Sequence, residues 1–158
     1  MSESYEEVIE GTKLKRAAPG TRHELICSRL HKCIRASVAN FAGTKLLSPR
    51  TEVQLSAQTK VRPDLALVTK ANGKLWLAAE IVSSDDHRTD TVIKKQIYEE
   101  VKLPRLWMID PRYDNVEVYH ASEYGMLLKA MLAGREILSE KLLPEFELSI
   151  EALFRAEG

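Results

Sequence analysis

One acidic residue stands where a carboxylate is costly. Glu80 lies inside the apolar run Leu75–Val82, flanked by Ala78, Ala79, Ile81 and Val82. A charge there needs a partner. Asp64 follows Pro63 and opens the strand-like run Asp64–Thr69. Between the runs lies Asn72-Gly73, a strong hairpin signal. The hairpin makes the two strands neighbours and brings Asp64 and Glu80 to the same end. Two adjacent carboxylates repel and raise each other's pKa, and a divalent cation relieves that repulsion. An oxygen-only site of this kind suits Mg²⁺ or Mn²⁺. Further along, Asp90, Lys94 and Tyr98 are spaced by four and share one helix face. Lys94 borders an apolar stripe of Ile93, Ile97 and Val101, from which its amine can reach the carboxylate pair.

Other residues carry weaker signals. His23, Cys27 and His31 fall on successive helical turns, a spacing that can bind a transition metal, but no fourth ligand is apparent. Glu10 and Glu24 are accessory carboxylates or solvated ones. Tyr98 suits core packing better than substrate contact. Trp76 and Trp107 sit in strand patterns and belong to the core. Ser83 and Ser84 have no His-Asp partners, which speaks against serine hydrolase chemistry.

These residues need elements to position them. Tyr5–Glu10 reads as a strand ended by Gly11. Pro19-Gly20 turns, and Thr21 can cap a helix over His23–Phe41, closed by Gly43. Val53 and Leu55 alternate with polar neighbours. After the Asp64 and Glu80 strands, Ser83–Asp86 can cap a helix over Arg88–Val101. Pro104 interrupts. Leu106–Ile109 and Val116–Tyr119 are strands joined through Asp114-Asn115. Tyr124–Met131 and Glu136–Leu138 follow as strands, and Ile150–Phe154 as a terminal helix. This order predicts a mixed sheet flanked by helices, in the α/β or α+β class.

Composition bounds the function. The chain has 158 residues, 44% of them hydrophobic and 29% charged, which suits one soluble domain over 1–158. No apolar run is long enough for a membrane helix. The acidic start is unlike a secretory signal, so a cytoplasmic location is expected. Cys27 and Cys33 lie on opposite sides of one helix and should be free thiols. The formal net charge is +0, so any nucleic-acid binding must come from a local patch. Arg62, Arg88, Lys94, Lys95 and Lys102 could form one, or could be ordinary surface charge.

The ordered series Val61-Arg62-Pro63-Asp64-Leu65, Glu80-Ile81-Val82-Ser83 and Lys94-Lys95-Gln96-Ile97-Tyr98 resembles the Uma-type family of restriction endonuclease-like proteins in the PD-(D/E)XK superfamily. The likeness begins at Tyr5–Gly11 and His23. It continues through Leu103-Pro104, Trp107–Pro111 and Val116–Tyr119, and closes with Leu142–Phe146 and Ala152–Phe154. It implies a restriction-endonuclease-like sheet with extra C-terminal antiparallel strands. It also implies that Asp64, Glu80 and the backbone carbonyl of Ile81 hold Mg²⁺ or Mn²⁺. Val82 occupies the place where much of the superfamily has its lysine; Lys94 on the next helix fills that role, polarising water or the scissile phosphate. The reaction implied is phosphodiester hydrolysis in DNA, by a homodimer. Ser83-Ser84-Asp85 replaces the usual Ser-Pro-Ser turn, and Arg105-Leu106 replaces Glu-Tyr. Two readings remain open on the residues alone. One is a metal-dependent endonuclease using Asp64, Glu80 and Lys94, with Glu10, His23 and Tyr98 accessory and Arg62, Arg88 and Lys95 on the nucleic acid. The other is a catalytically idle module that binds nucleic acid or protein, with Glu80 and Lys94 in a structural ion pair.

Overall fold

A computed structural model describes residues 3–41, 43–83 and 86–156. The chain opens with a hairpin, β1 (Tyr5–Ile9) and β2 (Thr12–Arg16). Glu10 and Gly11 make its turn, both with positive φ, at 50° and 84°. Gly11 therefore turns the chain back rather than ending an isolated strand, and β2 was hidden by its polar composition.

Helix α1 covers Thr21–Val38. Its N-cap is Gly20, not Thr21, and no side chain caps it; it ends at Ala39, four residues before Gly43. Ile26, Cys27, Leu30, His31 and Ile34 form its buried face. After α1 come β3 (Thr44–Leu46), β4 (Val53–Ser56) and β5 (Thr59–Val61). The central pair is β6 (Leu65–Thr69) and β7 (Leu75–Ile81), antiparallel across the Asn72-Gly73 turn. Every residue of β7 is buried, as its apolar sequence requires.

The second helix departs from expectation. A π-helical turn spans Thr89–Lys94 and runs into α2 (Lys95–Glu100). The wider turn shifts the inward face. Asp90, Lys94, Ile97 and Tyr98 are buried, while Val101 is exposed and Ile93 only half-buried. The predicted Ile93–Ile97–Val101 stripe is thus replaced by a largely polar inner face. The proposed Ser83–Asp86 cap falls partly on Ser84 and Asp85, which lie outside the described residues.

The remaining strands are β8 (Arg105–Asp110), β9 (Asn115–Ser122), β10 (Gly125–Ala133), β11 (Ile137–Glu140) and β12 (Leu143–Ser149), before α3 (Ile150–Phe154). The six-stranded sheet runs β10-β9-β8-β7-β6-β3 and is mixed, with β7 and β8 parallel. Strands β2-β1-β5-β4 form a second sheet, and β11-β12 a third.

The six-stranded sheet has a core on each face. On one, Ile26, Leu30 and Ile34 of α1 meet Leu65, Leu77, Ala79 and Ile81, with Trp107 stacked on Phe146 at 5.6 Å. On the other, Tyr98 and Leu103 cover Ala66, Ala78, Leu106 and Met108. Helix α3 seals the first core with Ile150, Leu153 and Phe154. Its N-cap is Ser149, whose Oγ accepts a 3.1 Å bond from the Ala152 amide. Ser149→Ala is expected to cost about 1 kcal/mol, read as a lower urea midpoint with unchanged slope. No helix among the described residues is long and apolar enough to cross a membrane.

Candidate active site

The β6–β7 register pairs Leu65 with Ala79, so Asp64 and Glu80 fall one step further along the same end. Alternation turns Glu80 to the same face as Ala78, toward Tyr98. Both carboxylates are buried, at 3% and 2% exposure.

Helix α1 and its neighbours hold Asp64 on every side. His23 Nε2 donates to Oδ1 at 2.9 Å, and Arg50 Nη1 donates to the same oxygen at 3.0 Å. The Ile81 amide donates to Oδ2 at 2.8 Å. His31 Nε2 donates to the Asp64 backbone carbonyl at 2.7 Å, with the Cys27 thiol 3.6 Å from the same atom. The His23, Cys27 and His31 face is therefore a cradle for one aspartate. Burial pushes the Asp64 carboxyl up, but the His23 bond and charge, the Ile81 amide and Lys94 outweigh it and hold it low.

Glu80 has a different setting. Its Oε2 accepts from the Tyr98 hydroxyl at 2.6 Å and pairs with Lys94 Nζ at 2.7 Å. Burial, opposed by Lys94 and reinforced by Glu7, Asp64 and Asp90, pushes its carboxyl up to about 8. Lys94 is fully buried. Its ammonium also donates to Glu7 Oε2 at 2.7 Å. Burial alone would favour the neutral amine, but Glu80, Glu7 and Asp90 together hold the proton on Lys94.

Glu7, Arg16 and Asp90 complete the network. Arg16 donates to Glu7 Oε1 at 2.5 Å and Asp90 Oδ1 at 2.7 Å, and its Nε pairs with Asp86 at 3.1 Å. The Arg62 amide donates to Glu7 Oε2, and the Ser83 amide to Asp90 Oδ2. Burial raises the Glu7 carboxyl, but Lys94 and the Arg62 amide outweigh it and hold it low.

The sequence-derived set is thus partly gathered. Asp64, Glu80, Lys94, Tyr98 and His23 share one site, and the hydroxyl of Tyr98 does more than pack. Glu10 does not join them. It is exposed on the β1–β2 turn, its amide bonded to Thr59 Oγ1, because inward positions on β1 alternate and belong to Glu7 and Ile9. Of the expected basic patch, Lys94 is fully buried. Arg62 folds back onto the Glu6 and Arg50 carbonyls, Lys95 lies over the Tyr119 ring at 4.6 Å, and Arg88 is exposed. Glu24 instead accepts from Arg50 at 2.8 Å. Glu7, Arg16 and Arg50 were not singled out from sequence. The available signal for Glu7 was a carboxylate in phase with buried Ile9.

A cavity of about 470 Å³ opens on this network, lined by Tyr5, Arg16, His23, Asp64, Ile81 and Asp90 among others. Glu80 and Lys94 are not on its wall. Among the described residues, no three His, Cys, Asp or Glu side chains form a metal cage. Mg²⁺ sites, however, commonly use one or two carboxylates and complete their shell with water and substrate phosphate. The two neighbouring buried carboxylates, Asp64 and Glu80, match that number. The Glu80 carboxyl is raised chiefly by burial, with Glu7, Asp64 and Asp90 adding to it, and a bound cation would favour its charged form.

Comparison with known proteins agrees with this architecture. A crystal structure described as "a putative nuclease belonging to DUF820", from Anabaena variabilis, superposes with a TM-score of 0.78 at 19% identity, covering 94% of this chain and 89% of that one. At that identity the likeness shows the fold, a restriction-endonuclease-like α+β arrangement. No curated protein matches the sequence. The model of the Uma2 family, described as "Putative restriction endonuclease", matches residues 2–151. Since that match spans nearly the whole length, the chain belongs to the Uma2 family of nuclease-fold proteins.

Proposed function

We propose that this protein is a Mg²⁺- or Mn²⁺-dependent endonuclease that hydrolyses phosphodiester bonds in DNA, with residues 1–158 forming one nuclease unit. The observation that carries the reading is the buried Asp64–Glu80 pair at the end of β6 and β7, beside a cavity and supported by a buried lysine. Asp64, Glu80 and the Ile81 carbonyl would hold the cation. When bound, it would supply charge stabilisation at the phosphoryl group and lower the pKa of an attacking water.

The chain's own residues supply the rest. His23, Arg50 and the Ile81 amide fix the Asp64 carboxylate in one orientation. Tyr98 and Lys94 hold Oε2 of Glu80, which directs its other oxygen to a ligand. Glu7 keeps Lys94 charged and in place. Lys94 thus acts through Glu80 rather than by touching DNA, a change from the role the family likeness implies. Cutting both strands requires two sites or two visits, which favours a homodimer acting in the cytoplasm.

The purified protein is expected to nick supercoiled plasmid with Mg²⁺ or Mn²⁺ and to stop when EDTA is added. Asp64→Ala should leave only background. If wild type and Asp64→Ala give the same background, the enzyme reading fails and the idle module takes its place.

A further inference from the structure

We infer that Tyr5 is a substrate contact, its hydroxyl donating a hydrogen bond to a non-bridging oxygen of the phosphodiester seated in the cavity. This rests on the nuclease reading above and adds a residue to it.

The starting point is the cavity wall. Its cationic side chains are already engaged by protein acceptors. Arg16 is shared among Glu7, Asp86 and Asp90. Arg112 is held by Asp110 at 2.9 Å and 3.0 Å. Arg22 bonds Asp114 and the Phe154 carbonyl. His23 is bonded to Asp64. Lys94, the expected phosphate partner, is wholly buried and off the wall. A phosphate entering here brings two anionic oxygens into a space already rich in carboxylates, so it needs donors that those carboxylates have not consumed.

Tyr5 is such a donor. It lines the cavity, and among the described residues its hydroxyl meets no hydrogen-bond partner. The ring is fixed. Tyr5 stands opposite Arg16 in the β1–β2 ladder, with the guanidinium carbon 5.9 Å from its ring centroid. It lies two residues from Glu7 and so shares the inward face of β1. The phenol oxygen is close enough to Asp64, Arg16, Lys94 and Glu80 to feel all four charges. Burial, with Asp64 the next contributor, keeps the phenol protonated, so it remains a donor throughout the working pH range. A hydroxyl on the same cavity wall as Asp64, with no hydrogen bond among the described residues, is suited to an anionic oxygen.

The test is Tyr5→Phe, assayed on an oligonucleotide with one cleavable linkage, either as phosphate or as each phosphorothioate diastereomer. The missing hydroxyl has no hydrogen-bond partner among the described residues, so the thermal midpoint should not move. The cleavage rate should fall about 10- to 100-fold, the loss expected for a hydrogen bond to a charged group. In wild type, one diastereomer should be cleaved more slowly than phosphate, and in Tyr5→Phe that sulfur penalty should shrink. A structural role would slow all three substrates alike, and that result would overturn the inference. Equal rates for wild type and Tyr5→Phe would also overturn it while leaving the nuclease reading intact. Absence of cleavage by wild type would remove both.

Discussion

Lys94→Met is expected to lower stability by about 3–5 kcal/mol and to abolish metal-dependent cleavage. The side chain is fully buried and its ammonium bridges Glu7 and Glu80, with Asp90 also in its field. Methionine fills the space but brings no charge. Glu7 would then keep Arg16 but lose its second cation, and its carboxylate would remain buried. Breaking one partner of a buried ion pair carries a cost of this size because an uncompensated charge stays behind. Guanidinium denaturation of the variant reads the loss directly. The pairing also makes a second-site forecast: Glu7→Gln added to Lys94→Met should recover part of the stability, since the orphaned charge is gone. Cleavage should not return, because Glu80 is still without its orienting cation. A Lys94→Met protein as stable as wild type would mean that the amine is not compensating buried charge.

Glu80→Gln should behave in the opposite way, retaining the fold and losing the chemistry. In the folded protein the Glu80 carboxyl titrates near 8, against an ordinary value of 4.5. The folded state therefore binds a proton that the unfolded chain has released throughout that interval. The Glu80 contribution to stability of the metal-free protein should fall as pH rises from about 4.5 to about 8 and be flat on either side, while Asp64 and Glu7, both held low, act in the opposite direction at acid pH. Glutamine resembles the protonated acid in shape and cannot ionise. The variant should match wild type near pH 5, exceed it at pH 8, and show a flatter profile between. Mn²⁺ should stabilise wild type at pH 8 and leave Glu80→Gln unmoved. Cleavage should drop by about 10³-fold, the scale of several kcal/mol of lost charge stabilisation. Thermal melts at a series of pH values with and without Mn²⁺ measure the first set of effects, and plasmid nicking the last. A profile in which Glu80→Gln tracks wild type at every pH would show that Glu80 is ionised across the range.

The acidic pair was legible because β7 is uniformly apolar apart from Glu80, and because Asn72-Gly73 fixes which strand lies beside it. Lys94 was legible through its spacing of four from Asp90 and Tyr98, all three of which are buried, and through the family resemblance. Glu7 and Arg16 were not: Glu7 lies in a strand read from sequence but with only its phase with Ile9 to single it out from Glu6 and Glu10, and the Arg16 strand reads as polar. Thr12–Arg16 carries Lys13, Lys15 and Arg16 around Leu14, and nothing local says that Arg16 is enclosed by Glu7 of the paired strand and by the distant Asp86 and Asp90. Arg50 was hidden for a different reason. It sits in a turn with φ at 59°, and its aim at Asp64 depends on tertiary placement that spacing cannot encode. The short strands β3 and β5 escaped because three residues carry too little alternation to register.

The cradle formed by His23, Cys27 and His31 ties chemistry to angular phase. One helix supplies three contacts to one aspartate, so Asp64 has no adjustment independent of α1's rotation. Each residue added to an α-helix rotates the remainder of that helix by about 100°. An insertion between His23 and Cys27 would swing Cys27 and His31 off the Asp64 carbonyl together. Lengthening the chain ahead of Gly20 would leave the helix's angular setting unchanged. Natural length variation compatible with this site therefore belongs in the approach to α1, and its first three turns behave as a fixed gauge.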